Sequence, residues 1–192
     1  MGRPKGSKNK NYYVTENEIV VEGDIVKIIL NSPKYGIHFA YVDKDKYHLV
    51  KCFRWGVVKP KHVFYAYAKH KNSSIKMHRV VLGLELGKYI VDHSDGNGLN
   101  NLVSNLRIAT NIQNGQNRKI HEGREYKGVY QADPNQLLFK AYIHVNKKSV
   151  YLGQFNNKEQ AARAYNEAAI KYFGIFARLN IIPDVNKSGV SE

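Results

Sequence analysis

An aspartate and a histidine stand side by side at Asp92-His93, inside the run VDHSDGNGLNNLVSNLRIATNIQNGQN, and amide side chains follow at Asn105 and Asn114. Hydrolysis of a phosphodiester needs a base to take a proton from water and a hard cation to face the phosphate and the departing oxygen. A neutral imidazole beside oxygen donors can meet both needs. The run therefore points to metal-dependent nuclease chemistry.

Such groups work only if the chain around them is firm. Ile90 and Val91 form a short apolar strand that carries Asp92 and His93 to its end, where the loop SDGNGLNN begins. Leu99, Leu102, Leu106 and Ile108 anchor the loop and a return strand, and Thr110 can cap a short helix that starts near Asn111. The expected order is strand, loop, strand, helix. On a helix over 111–119, Asn114, Asn117 and Arg118 share one face through the three- and four-residue spacings. Asp92 and Asn114 can then offer one carboxylate and one amide oxygen to a single cation, with His93 on the opposite side of a bound phosphate. Asn117 competes for the role of second ligand. A hard, oxygen-only set suits Mg²⁺ or Mn²⁺, completed by water and phosphate oxygens, better than Zn²⁺. Arg107 and Arg118 are candidates for phosphate contacts, with a solvated charge the alternative for Arg107.

The whole pattern, apolar residue, Asp-His, Asp-Gly, Asn-Asn, Asn-Leu-Arg, Thr, Gln-Asn, resembles the HNH endonuclease motif over residues 76–119, above all the form found in phage and intron-encoded homing endonucleases. The resemblance implies a ββα-metal fold, in agreement with the order of elements above. It also implies a catalytic set in which Asp92 ligates the metal, His93 is the general base, Asn105 braces the loop and Asn114 is the second ligand. Many family members carry His at that last position, where this chain has Asn114.

Composition narrows the partner. The 192 residues include 30 Lys and Arg against 16 Asp and Glu, a net charge of +14 with a pI near 9.7. That balance favours a polyanion through counterion release, and the charge is spread over every part of the chain. At 43% hydrophobic residues the chain can build real cores. Cys52 is the sole cysteine, which rules out an intrachain disulfide or a cysteine-rich zinc cluster and fits a reducing cytoplasm. The first 20 residues lack the apolar core of a signal peptide, and no run approaches the ~18 apolar residues of a membrane span. The expectation is a protein off the membrane, in the cytoplasm (of a bacterial host if phage-encoded), with no small-molecule cofactor, acting as a monomer on double-stranded DNA.

Residues 1–11 carry positive charge and almost nothing to bury, and Gly2-Arg3-Pro4 with Lys5 resembles the core of an AT-hook, which would place Arg3 and Lys5 on DNA. Residues 12–75 form a β-rich module in which β-branched and aromatic residues come in short bursts (EIVVEG, DIVKIIL, FRWGVV, HVFYAYA). A short helix capped by Asp43 places Leu49, Val50 and Phe53 on one face. Trp55, Phe64, Tyr65 and Tyr67 read as core or sheet-face residues. Ile75 to Leu82 is expected to be a strand ended by Gly83, with His78 a packed or hydrogen-bonded strand residue and a phosphate contact the alternative. The nuclease module spans 76–122.

Residues 125–181 predict a three-stranded antiparallel meander from YKGVY, FKAYIHV and SVYLGQF, with turns at DPNQ and NKK. In the middle strand Phe139, Ala141, Ile143 and Val145 alternate with Lys140, Tyr142, His144 and Asn146, one buried face and one polar. A helix over 158–173, capped by Asn157 with Gln160 placed for a capping box and stopped by Gly174, carries an apolar stripe of Ala162, Tyr165, Ala169 and Phe173. The opposite sheet face carries Tyr130, Lys140, Tyr142, His144 and Tyr151, with Lys147 and Lys148 at its rim, and such a face can enter a major groove. YKGV, YLGQF, EQAARAYNEAAIKYFG and the closing ARLN resemble an Apetala-two/ethylene-response-factor (AP2/ERF) DNA-binding domain, which implies readout by that face. Where the plant factors commonly place Arg or Glu, this chain has Tyr130, Tyr142 and His144. Residues 182–192 form a tail. The expected class is α+β: a β-rich module, a ββα-metal core and a sheet-on-helix domain. The expected function is that of a site-specific, homing-type DNA endonuclease, with a catalytically inactive DNA-binding regulator as the alternative.

Overall fold

The computed structural model of the chain describes residues 16–70, 73–85, 87–120, 123–133 and 137–183. The basic arm with Arg3 and Lys5, the tail beyond 183 and part of the expected turn at 134–136 lie outside the described residues. Two compact units divide between Ile108 and Ala109.

The first unit is built from two antiparallel three-stranded meanders. Strands β1 (Ile19–Glu22), β2 (Ile25–Ser32) and β3 (Gly36–Asp43) make one; β4 (Gly56–Val58), β5 (Tyr65–His70) and β6 (Ser73–Lys76) make the other. The period of two in IVKIILNS puts Val26, Ile28 and Leu30 on the inner face of β2, opposite Val42, Ala40 and His38 of β3. Val26, Ile28, Leu30, Ala40 and Val42 are buried. A 3₁₀ turn at Lys44–Lys46 runs into α1 (Tyr47–Val50). Val50 is fully buried in the same core, and the Trp55 indole donates to the Val50 carbonyl at 2.9 Å. Asp43 does not cap that turn with its side chain. Its carboxylate accepts instead from the backbone of Val103, sixty residues on, at 2.7 Å.

After β6 the structure departs from the expected strand over 75–82. The strand ends at Lys76, paired with Tyr67, and α2 (Met77–Val81) follows. Met77 and Val81 are spaced by four and both buried, a helical period that the β-branched composition of IKMHRVVL obscured. Gly83, at φ 62°, ends the helix. From α2, Arg79 donates to the carbonyls of Tyr89 (2.7 Å) and Glu85, holding the turn that leads into β7 (Ile90–His93). β7 pairs with β8 (Leu106–Ala109). Leu99 and Leu106 belong to the same buried cluster as Val26, Ile28 and Met77.

In the second unit α3 (Asn111–Gln116) begins on a complete capping box: the Thr110 hydroxyl accepts from the Gln113 backbone and the Gln113 side chain accepts from the Thr110 backbone. Strands β9 (Val129–Gln131), β10 (Phe139–Val145) and β11 (Lys148–Phe155) form an antiparallel sheet with β10 central, packed on α4 (Lys158–Phe173). The β10–β11 hairpin turns through Asn146 and Lys147, both at positive φ (50° and 65°), as a two-residue loop demands. Ile143 of β10 is buried in one cluster with Tyr165, Ala168, Ala169 and Phe173 of α4, and Ala141 and Ala162 are buried as well. Asn157 caps α4, accepting from Gln160 at 2.8 Å, and Gly174 at φ 53° stops it. Gly128, at φ 77°, lies so close to the Tyr165 ring and the Tyr142 carbonyl that any side chain would collide with both. The fold is α+β, with small antiparallel sheets and a sheet-on-helix C-terminal part, as the sequence pattern predicts.

Candidate active site

The site grows from the end of β7. Pairing with β8 draws Asp92 and His93 inward, so both are buried, at 4% and 5% exposure. The loop that follows is folded by its own amides. Asp95 Oδ1 accepts from the Asn97 backbone at 2.7 Å and from Asn105 Nδ2 at 3.0 Å, and Oδ2 accepts from Asn100 Nδ2 at 2.8 Å. Asn105 closes the clasp: its Oδ1 accepts from the Asp95 backbone at 3.0 Å, and its Nδ2 also donates to the Asn100 carbonyl at 2.9 Å. Partial burial works to raise the Asp95 carboxyl, but the hydrogen bonds from Asn97, Asn100 and Asn105 hold it below the usual carboxylate range.

The loop is also stapled to the first meander. Tyr41 of β3 donates its N–H to the Leu99 carbonyl at 3.0 Å and accepts from the Asn101 N–H at 2.8 Å, a parallel bridge between Tyr41 and Asn100. Gly98 passes between Phe64 and Tyr65, where a Cβ would stand 2.6 Å from the Tyr65 ring and strike the Phe64 carbonyl. The β-rich segment, which carries no chemistry of its own in the sequence reading, is thus the bed on which the loop lies.

Electrostatics at the strand end are set by one ion pair. Arg107, on β8, places Nε at 2.7 Å and Nη2 at 2.6 Å from Asp92 Oδ2, with both side chains largely removed from water. Of the two roles the sequence left open for Arg107, the solvated charge does not hold: the side chain is largely removed from water and paired with Asp92. Burial lowers the pKa of His93, while Asp95, the Asn101 side chain and Asp92 pull the other way; the net direction is downward, so the imidazole is held neutral.

Two groups that the sequence reading assigned to plain packing stand against that imidazole. His78, from α2, lies edge-to-face on His93 with centroids 5.0 Å apart at 76°. Tyr65 of β5 touches both rings, at 5.7 Å from His93 and 6.0 Å from His78. Burial first, then the neighbouring His93, Lys76 and Arg79, drives the His78 pKa down to about 3. The signal that could have found His78 is the Met77–Val81 spacing, which makes the segment a helix and turns His78 toward the core.

Asn114 lies exposed on α3, in the second unit, with Asn117 the buried C-cap of that helix and Arg118 exposed beyond it. On the C-terminal sheet, Tyr130, Tyr142 and Tyr151 form a run of rings, 5.8 Å and 5.2 Å between centroids, aligned by a register shift between Ala141 and Tyr142. Arg124 stacks on Tyr130 at 4.6 Å. Lys140 stands between Tyr130 and Gln154 in the ladder, and His144 and Lys148 are exposed near the hairpin end.

Among the described residues no group of three or more His, Cys, Asp or Glu converges on a common point. A metal here would take few protein ligands and rely on water and phosphate. The donor type fits a hard cation, since the Asp92 carboxylate is an oxygen donor, and in this structure its Oδ2 is held by the Arg107 guanidinium.

A strand-end Asp-His pair, a clasped loop and a return strand define a class that comparison makes explicit. Residues 76–116 match the family model of the HNH endonucleases. An uncharacterized HNH endonuclease of Acanthamoeba polyphaga mimivirus is 35% identical over 150 residues, covering 75% of this chain and 75% of that protein. The chain belongs to the HNH endonuclease family, hydrolases that act on DNA phosphodiester bonds and generally use a divalent metal. No solved structure matches it.

Proposed function

We propose that the protein is a site-specific, homing-type endonuclease in which the HNH module over residues 76–122 cuts and the domain over residues 125–181 reads double-stranded DNA. The observation that carries it is the buried, neutral His93 beside Asp92 on a loop clasped by Asn105. His93 takes a proton from water as the water oxygen attacks phosphorus; the P–O3′ bond breaks and the departing 3′ oxygen takes a proton from solvent, leaving a 5′ phosphate and a 3′ hydroxyl. Asp92 would hold Mg²⁺ or Mn²⁺ through a carboxylate oxygen, with Asn114 the second donor by its phase in the motif. When bound, such an ion supplies the charge that stabilises the phosphate oxygens and the departing oxygen. Asn105 acts by holding the loop. Arg107 keeps the Asp92 carboxylate oriented until the metal arrives.

The tyrosine run on the C-terminal sheet supports an AP2/ERF-type reading module, with Tyr130, Lys140, Tyr142, His144, Lys148 and Tyr151 facing DNA, Arg118 on the backbone and Arg3 and Lys5 of the arm in a minor groove. The protein acts as a monomer in the cytoplasm. Plasmid nicking with Mg²⁺ or Mn²⁺ tests the chemistry. His93→Ala is expected to lose at least ~100-fold in rate; cleavage at the wild-type rate would sink the assignment of the base.

A further inference from the structure

The His93 imidazole has a second wall that the nuclease chemistry above does not use. His78 meets it edge-to-face at 5.0 Å, and Tyr65 closes the angle between them. His78 is buried, at 5% exposure. It is brought there by α2, whose Met77 and Val81 anchor in the core on either side of it. Tyr65 is held in turn by the Lys76 ammonium over its ring at 4.8 Å and by the close passage of Gly98. Each ring is fixed by a different element, so the contact is built and not incidental to one turn of chain.

We propose that His78 is a positioning residue for His93, its ring, backed by Tyr65, fixing the plane of the imidazole that receives the proton of the attacking water. This rests on His93 being the base. An edge-to-face ring contact restricts rotation about the Cβ–Cγ bond, which the loop clasp through Asn105 does not do. The neutrality of His78 serves the same end: a pKa of about 3 means that it neither repels a protonated His93 nor competes for the proton. What the site needs from position 78 is a flat, uncharged ring of that size. Orientation of a proton acceptor is worth much in rate, since small misplacements can cost up to about 100-fold.

The test uses the full-length protein and supercoiled plasmid with Mn²⁺. His78→Ala is expected to lower kcat about 10-fold with KM for plasmid within about twofold, while His78→Phe, which keeps a ring and cannot titrate, recovers to within about threefold of wild type. Melting temperatures of both variants are read alongside, and His78→Phe covers the case in which the alanine variant fails to fold. In a His93→Ala background, His78→Ala is expected to cost nothing further. An unchanged kcat in His78→Ala with His93→Ala inactive overturns the positioning role and leaves the base assignment standing. Full activity in His93→Ala overturns both. A phenylalanine variant that folds yet is as slow as the alanine one shows that His78 acts through its nitrogens, which also overturns it.

Discussion

Arg107 and Asp92 show how one residue can be legible and its neighbour not. Asp92-His93 stands out by type and adjacency, but the guanidinium that meets the carboxylate sits fifteen residues on, and only the β7–β8 pairing brings the two together. Removing one member of a buried pair strands the other's charge, at a cost on the order of 3 kcal/mol. Arg107→Ala is therefore expected to melt earlier than wild type, and added Mn²⁺ is expected to raise its melting temperature more than that of wild type, because the ion takes over the guanidinium's place. Equal metal-induced shifts would remove Asp92 from the ligand set. The buried histidines make a second prediction. A His whose folded pKa lies below the unfolded value near 6.5 binds its proton more readily when unfolded, so stability is full above that value and drains as pH falls toward the folded pKa. For His78 that window runs from about 6.5 down to about 3. Thermal melts at pH 7 and pH 5 should show a larger drop for wild type than for His78→Phe; parallel drops would mean that His78 is not held neutral.

At the scale of elements, strands with a period of two were readable because one face is buried: Val26, Ile28 and Leu30 leave little doubt about β2, and Ala141 and Ile143 fix the inner face of β10. Three caps were readable from local signals, as Thr110, Asn157 and Gly174 show, whereas the cap expected at Asp43 is drawn off to Val103. The segment 75–82 was not, because IKMHRVVL satisfies both periods over so short a length and only the end of pairing at Lys76 decides. Nor was the role of Asn180, which lies outside any helix or strand. Its side chain accepts from the Lys127 N–H at 2.6 Å and donates to the Lys127 carbonyl at 3.1 Å, while its backbone exchanges two hydrogen bonds with the Asn166 side chain. This cross-tie explains why the closing ARLN belongs with a sheet-on-helix domain. Asn180→Ala is expected to destabilise the second unit by about 2 kcal/mol, read from its urea midpoint; a neutral result would make the cross-tie ornamental. Gly98→Ala is expected to displace the loop from Tyr65 and abolish nicking while leaving the sheets, followed by far-ultraviolet circular dichroism, in place.

Over the whole molecule, the net charge of +14 on 192 residues is the feature that a sequence states most plainly and a fold constrains least. A protein that contacts six to ten phosphates loses about 10³-fold or more in affinity between 50 and 200 mM salt. Fluorescence anisotropy with duplex DNA in EDTA should show that slope for the full chain, and a flat profile would contradict a DNA track spread along it. The division at Ile108/Ala109 was not legible, since the motif reads continuously from Asp92 to Asn114 and the sequence gives no hint that a unit boundary falls inside it. The Tyr41 staple carries a lesson for anyone wishing to move this activity elsewhere. A graft of residues 76–116 alone would arrive without the strand edge that holds Leu99 and Asn101, like a blade taken off its handle. Chimaeras that bring β2 and β3 with them should cut, whereas motif-only grafts should not. The smallest portable inheritance is thus the motif through Asn114 together with the meander beneath its loop, a view in keeping with a viral relative whose likeness runs over 150 residues and not merely over the motif.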